Sequence, residues 1–329
     1  MHSATPSSFS DPAVTVLMPC FNTEAYLHET LKSVLAQTCP DYEVVMVDDC
    51  STDGTADIMR WYEARDPRFR AVFADKNGGP AKTRNLGLKH ARGRYIAMLD
   101  SDDLWTADAL QVRCDLARKY PSAAVIATDF LTFTGEVPSE PFTGHVRKGR
   151  LARQVFADNF ARGNERLMTS PFEAVARLHF AWVGATLVLR SAMADIGDFD
   201  ESFIGPEDTL LWLRLARNGS FVFSPAVTAM YRQRPGSIVA SYSSPKELHY
   251  LSVLDRMMDA PLSRDQRRVI GKLKSECHLV SSYFCRRTGD MAAALTHAKQ
   301  AIAYGALKPA HWKNLAGIWN EQIRGKAAG

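Results

Sequence analysis

The chain has 329 residues, 46% of them hydrophobic and 23% charged, with 40 Lys and Arg against 36 Asp and Glu for a net charge of +4. That length accommodates about two compact domains, and the composition excludes a globally disordered, collagen-like or low-complexity protein. The near-cancelling charges argue against a nucleic-acid binder, which gathers its basic residues on one face.

Residues 1–12 are rich in Ser and Pro, lack an apolar core and read as a loose tail. Val14–Met18 reads as a buried strand stopped by Pro19, and a helix from about Thr23 carries Leu27, Leu31, Val34 and Leu35 at helical spacing. Glu43–Val47 is a second strand ending in Asp48-Asp49, and Ser51–Thr55 opens a helix with Ile58, Met59 and Trp61. Arg70–Phe73 is a third strand, followed by a glycine loop and a helix through Arg84, Leu88 and Ala91. Tyr95–Leu99 is a fourth, again ending in carboxylates. Alternation of this kind predicts a mostly parallel sheet with ligands beyond the carboxyl ends of its strands.

After residue 108 the pattern is mixed, with strands near Ala124–Thr128 and Ala185–Leu189 around a long polar insertion. From Pro245 onward it is helical, and Gly289–Ile302 looks like one arm of a hairpin with no second copy. The six cysteines form no Cys-x-x-Cys pair or zinc-spaced cluster, so free thiols and a reducing cytosol are expected. No window approaches eighteen uninterrupted apolar residues.

Polar motifs stand at all four strand ends. Asp100-Ser101-Asp102-Asp103 puts three carboxylates within four residues, where they repel one another unless a cation or donors compensate. A divalent cation shared with substrate phosphates would do so, while Ser101 or Asp102 capping the helix of Leu110 and Leu116 would explain the same residues. Asp48-Asp49 suits a nucleobase or ribose contact, or capping of the Ser51–Thr55 turn. The run Asn77–Asn85 joins a glycine loop to a helix start with Lys82 and Arg84, a phosphate-compatible arrangement. It is neither a Gly-x-Gly-x-x-Gly fingerprint nor a Walker loop. Glu207-Asp208, before the apolar run Leu210–Leu215, reads as a helix cap or as a general base facing a cleft.

Four runs occur in order: Val16–Asn22, Val47–Asp53, Ala81–Gly87 and Leu99–Asp103, followed by Glu207-Asp208. Together they closely resemble the family 2 glycosyltransferases over residues 13–240. The resemblance implies the GT-A fold, a Rossmann-like, mostly parallel α/β sheet flanked by helices. A nucleotide-binding half would cover residues 13–108, an acceptor half 109–240, and a helical appendage 241–329. It further implies that Pro19 and Phe21 line the nucleobase pocket, Asp49 bonds the base, and Gly79 and Arg84 lie near base and diphosphate. Asp100 and Asp102 would form the Asp-x-Asp motif, with Asp102 the direct ligand of Mg²⁺ or Mn²⁺. Asp208 would be the base in an inverting displacement, and Glu207 would place the acceptor.

Many relatives have a histidine where Tyr231-Arg232-Gln233-Arg234 stands. Here Arg232 or Arg234 would pair with the diphosphate, or lie solvated at a strand end. Neither the Gln-x-x-Arg-Trp motif nor the membrane helices of processive synthases are found, which favours transfer of a single sugar. The expected activity is transfer from a nucleotide sugar, with UDP favoured by family habit, to a glycan or lipid-linked acceptor in the cytoplasm. A sugar nucleotidyltransferase and a catalytically silent scaffold are the alternatives. Near the C-terminus Trp312, Leu315, Ala316 and Trp319, with Lys313, Arg324 and Lys326, suit either an anionic membrane at the inner face of the plasma membrane or, more cheaply, the core packing of a terminal helix.

Overall fold

The structure, a computed structural model, describes residues 11–139, 144–157, 163–203, 205–234, 237, 246–305 and 308–327. The alternation expected over the first hundred residues is present as β1 (Val14–Cys20), α1 (Glu24–Leu35), β2 (Tyr42–Asp48), α2 (Thr55–Glu63), β3 (Phe69–Phe73), α3 (Gly79–Leu88) and β4 (Tyr95–Met98). These four strands are parallel, and their apolar runs are nearly continuous because helices cover both faces of the sheet. Leu17, Val44, Val45, Ile96 and Ala97 are fully buried, as are Leu27, Leu31 and Val34 on the inner face of α1.

Pro19 does not stop the first strand: it pairs with Val47 inside β1. The Leu17 carbonyl accepts from Leu99 N–H on one side and the Cys20 carbonyl from Asp49 N–H on the other. Pro19, two residues beyond Leu17, therefore turns its missing N–H toward β4, whose register with β1 has already ended at Leu17–Met98. The third helix is shorter than its periodicity suggests and ends at Leu88, leaving Ala91 in the turn before β4.

The next elements are β5 (Leu104–Trp105), α4 (Ala109–Lys119), β6 (Ala123–Phe133), α5 (His145–Lys148), α6 (Arg150–Val155) and β7 (Arg166–Met168). After them come α7 (Phe172–Leu178), β8 (Thr186–Leu189), α8 (Arg190–Ala194), α9 (Glu207–Ala216) and β9 (Ser220–Arg232). The described strands form one mixed sheet in the order β3-β2-β1-β4-β8-β6-β9-β5, with β7 added to β9. Because β8 is antiparallel to both β4 and β6, and β9 is parallel to β6, the carboxyl ends of β6 and β9 return to the same edge as those of β1 to β4.

The chain divides into two compact units. The first, Met1–Pro171, Phe180–Ile204 and Asn218–Gln233, holds the whole sheet. The second, Phe172–His179, Gly205–Arg217 and Arg234–Gly329, is helical: α7 and α9 group with α10 (Lys246–Met258), α11 (Arg264–Arg287), α12 (Met291–Gly305) and α13 (Pro309–Ala327). A capping box opens α11, with Ser263 Oγ accepting from Gln266 N–H and the Gln266 side chain accepting from Ser263 N–H. The α11–α12 hairpin is closed by small side chains, with Ala294, Ala298 and Ala301 buried and the Ser275 and Ser282 hydroxyls donating to the Ala301 and Ala294 carbonyls. Among the described residues no helix is long and apolar enough to cross a membrane.

Candidate active site

The four motifs meet because parallel strands present all their carboxyl ends at one edge. Strand order reverses between β1 and β4, the topological switch point where open α/β sheets bind ligands. The loop after β1 and the loop after β2 are laced together there. Asn22, in the left-handed region at φ 49°, donates its N–H to Ser51 Oγ and accepts from Thr52 N–H at 2.8 Å. Glu24 and Asp53 exchange similar bonds, Glu24 N–H donating to Asp53 Oδ2 and Gly54 N–H to Glu24 Oε2. Pro19 is half-buried at the end of β1, and the Phe21 ring, in the loop beyond, is 46% exposed.

The two aspartates after β2 separate in role. Asp48 accepts from Ser51 N–H and caps the turn. Asp49, 4% exposed, accepts Gly78 N–H on one oxygen and Gly79 N–H on the other, both at 2.8 Å. The two glycine amides, phosphate-compatible by sequence, are thus engaged by Asp49. Gly79 adopts φ +77°, a conformation that suits glycine, and Pro80 follows within the first turn of α3. A carboxylate has about four lone-pair positions, so two amides leave Asp49 capacity for a further donor.

Arg84, on α3, is 3% exposed and its Nη2 reaches Asp100 Oδ1 at 2.7 Å. Its guanidinium lies over the Phe199 ring, 5.5 Å from the centroid. Asn85, within the same motif, fixes that ring: it accepts Phe199 N–H and donates to the Phe199 carbonyl and the Glu201 carboxylate.

The acidic turn is held from three elements. Asp103 N–H closes it on the Asp100 carbonyl. From α1 and the loop before it, Thr30 Oγ1 donates to the Ser101 carbonyl and Thr23 Oγ1 to Ser101 Oγ. From α3, Arg84 holds Asp100. From β9, Arg232 N–H donates to Asp103 Oδ1 at 2.7 Å and Arg232 Nε to the Asp102 carbonyl at 2.9 Å. Capping of α4 does not explain the motif, because that helix begins after Asp108, with β5 between it and the turn.

Asp103 is fully buried, its Oδ2 has no hydrogen-bond partner, and its pKa is pushed well above the ordinary carboxylate range by burial and then by the charges of Asp102 and Asp100. Burial leads that rise, and the two neighbouring carboxylates add to it. The turn offers the hard carboxylate oxygens that a divalent cation takes, but among the described residues no group of three or more His, Cys, Asp or Glu would hold an ion alone, so the remaining ligands would come from substrate and water. Mg²⁺ suits such a site, since it takes one or two carboxylates and completes its shell with substrate phosphates and water.

Arg232 departs from one sequence expectation: it is 7% exposed rather than solvated at a strand end, and its guanidinium is held by Glu29 and the Asp102 carbonyl. Its role, like those of Asn85, Thr23 and Thr30, was not legible in the motifs, although Asn85 stands inside one of them.

Glu207 and Asp208 open α9 in the helical unit. Glu207 is 4% exposed and its Oε2 accepts N–H from Gly205, which precedes the helix. The N-cap position is Pro206 and makes no side-chain cap, so the acidic pair stands in the first turn, where the helix dipole favours it, without capping the helix as an N-cap residue. Asp208 Oδ1 accepts from Thr209 N–H at 2.6 Å and from the Thr209 hydroxyl.

A cavity of about 520 Å³ lies elsewhere. It is lined by Ala13, Asp41 and Arg94, which precede β1, β2 and β4, and so opens at the opposite edge of the sheet. Its arginines Arg92, Arg94 and Arg190 are offset by Asp11 and Asp41, and the motifs, not the volume, locate the chemistry.

Residues 15–178 match the sequence profile described as glycosyl transferase family 2. The chain belongs to this family. TuaG of Bacillus subtilis strain 168, named for teichuronic acid biosynthesis, is 48% identical over 100 residues, which are 30% of this chain and 40% of TuaG. The chain thus matches less than half the length of that relative. Among solved structures, Staphylococcus aureus TarS 1–349 in complex with UDP-GlcNAc superposes with a TM-score of 0.64 at 19% identity, covering 95% of this chain and 92% of TarS 1–349. The mannosyltransferase PcManGT of Pyrobaculum calidifontis, in complex with GDP-Man and Mn²⁺, gives 0.60 at 20% identity, covering 94% and 80%. These likenesses show that the family 2 chain has the GT-A fold, a mostly parallel sheet flanked by helices with a C-terminal helical region.

Proposed function

We propose that the chain transfers one sugar from a nucleoside-diphosphate sugar to a hydroxyl of a glycan or lipid-linked acceptor, inverting the anomeric centre, in polysaccharide or glycoconjugate synthesis. The observation that carries this reading is that α3 is bonded at the switch point at two places, the Gly78 and Gly79 amides at its start to Asp49 and its Arg84 to Asp100 of the acidic turn. The name of TuaG supports a role in polysaccharide or glycoconjugate synthesis, the ligands of TarS and PcManGT support a nucleotide-sugar donor, and the Mn²⁺ of PcManGT supports a divalent metal. Of the two nucleotides seen there we favour uridine diphosphate.

In this reading residues 13–240 form the transferase and Pro19 and Phe21 line the base. Asp49 bonds the base with the lone pairs that the glycine amides leave open, and Gly79 and Arg84 lie near base and diphosphate. Asp102 and Asp100 would hold Mg²⁺ or Mn²⁺, which would supply Lewis-acid neutralisation of the charge on the departing diphosphate. Asp208 takes the proton from the acceptor hydroxyl as its oxygen attacks the anomeric carbon, while the bond to the nucleoside diphosphate breaks. Glu207 positions the acceptor. One base and one leaving-group acid suffice for a single displacement without a covalent intermediate. Asp208→Asn is expected to abolish transfer while donor binding, measured by calorimetry, persists; full transfer by this variant would remove Asp208 from the mechanism.

A peripheral membrane contact through α13 is favoured by one observation. Leu315 and Ile318 are buried, as expected of a packed terminal helix, but Trp312 and Trp319 are 54% and 53% exposed, contrary to core packing of the whole stripe. Residues 246–329 carry 14 Lys and Arg against 7 Asp and Glu, a basic excess that the near-neutral whole chain conceals. Tryptophan at a membrane interface beside basic residues fits an anionic bilayer holding a lipid-linked acceptor.

A further inference from the structure

We propose that Arg232 is a positioning residue for the acidic turn: its side chain fixes the backbone from which the Asp102 carboxylate projects and so preorganises the divalent-cation site. The inference rests on the reading of Asp102 as a metal ligand.

The placement follows from strand register. β5 is only two residues long and pairs antiparallel with β9, Leu104 opposite Met230. Extending that register by two residues sets Arg232 opposite Asp102. A planar guanidinium there binds two partners at once, Nε to the Asp102 carbonyl and Nη2 to Glu29 of α1. It also lies over two rings, 4.6 Å from the Phe133 centroid and 5.2 Å from that of Tyr26, which restricts its freedom to swing. The side chain therefore ties β9, α1 and the acidic turn together with one rigid group. A lysine has the same charge but a single flexible ammonium in place of the fork.

Outer partners that orient ligands typically contribute tenfold or more to metal affinity. A guanidinium that acted only through its charge would repel the cation, so the charge-conserving substitution separates geometry from charge. The test is Mn²⁺ binding to the full chain in the presence of UDP or GDP, read from the electron paramagnetic resonance signal of free Mn²⁺, with folding checked by circular dichroism. Arg232→Lys is expected to weaken Mn²⁺ binding by roughly tenfold, with saturation recovered at high Mn²⁺. Glu29→Gln, at a half-exposed position that leaves the turn itself intact, is expected to give a smaller loss in the same direction and serves if Arg232→Lys does not fold. Parent-like Mn²⁺ affinity in a folded Arg232→Lys, or in Glu29→Gln where only that variant folds, overturns the proposal. Asp102→Asn separates the two levels: loss of Mn²⁺ binding there beside an unaffected Arg232→Lys sinks the positioning role alone. Retained Mn²⁺ binding in Asp102→Asn, or none in the parent chain with either nucleotide, sinks the metal reading beneath it.

Discussion

Gly87, on the inner face of α3, has no room for a side chain: a Cβ there would stand 2.2 Å from Leu17 Cδ1 and 2.8 Å from Val47 Cγ2. The helix carrying Arg84 and Asn85 is therefore seated directly on β1 and β2. Gly87→Ala should force helix and sheet apart and cost about 1–3 kcal/mol, read as a lower urea midpoint with unchanged slope. Arg113 is a different kind of buried residue. It is fully enclosed, donates to the Thr186 carbonyl and the Thr228 hydroxyl, lies 4.6 Å from the Trp105 ring centroid, and has its pKa pushed down to about 9 by burial. Nothing in the pattern of α4 distinguishes this arginine from a solvated one, whereas Asp49, Arg84 and Asp100 could be read because they stand in short motifs at strand ends. Residues whose meaning lies in a neighbouring motif were legible, and those whose meaning lies in a distant partner were not.

At the scale of elements, α13 presents an amphipathic division that its sequence left open. His311, Asn314, Leu315 and Ile318 face inward while Trp312 and Trp319 face out. The full chain is expected to float with phosphatidylglycerol vesicles and not with phosphatidylcholine vesicles. A Trp312→Ala/Trp319→Ala double variant should lose this binding without a change in circular dichroism; flotation by the variant equal to the parent would exclude α13 as the contact.

The α11–α12 hairpin carries a pH dependence. His278 Nδ1 and His297 Nδ1 stand 2.9 Å apart, so one must donate and the other accept, and a second proton breaks the bond. Lys274 and Tyr304 also face His278, and Asp255 of α10 holds Lys274. Burial, then His297 and Lys274, push the His278 pKa down to about 4, and burial lowers that of His297. With the folded pKa depressed below an unfolded value near 6.5, stability is full above about pH 6.5 and falls as pH drops toward 4. His278 is only partly buried, so solvent screens part of the effect and the loss is about 1–2 kcal/mol. Urea midpoints at pH 7 and pH 5 should differ for the parent chain and converge for His278→Gln.

For the molecule as a whole, the proposed donor should act as a stabiliser. A nucleotide sugar at a hundred times its Kd raises stability by about 2.7 kcal/mol. A panel of UDP- and GDP-sugars, screened by thermal melting with and without Mn²⁺, is expected to yield at least one metal-dependent upward shift, and a flat response across the panel would count against a nucleotide-sugar site. The alternation of β1 to β4 with α1 to α3, and hence the edge where the motifs gather, was readable because hydrophobic periodicity is local and a parallel sheet sends every strand's carboxyl end the same way. The insertion of the antiparallel β8 between β4 and β6, and the grouping of α7 and α9 with the C-terminal helices, had no such local signal. Nor did the burial of Arg232, whose partners Asp102 and Glu29 lie 130 and 203 residues away in the chain. Such features arise from contacts between distant segments, and no window of sequence holds both halves of them.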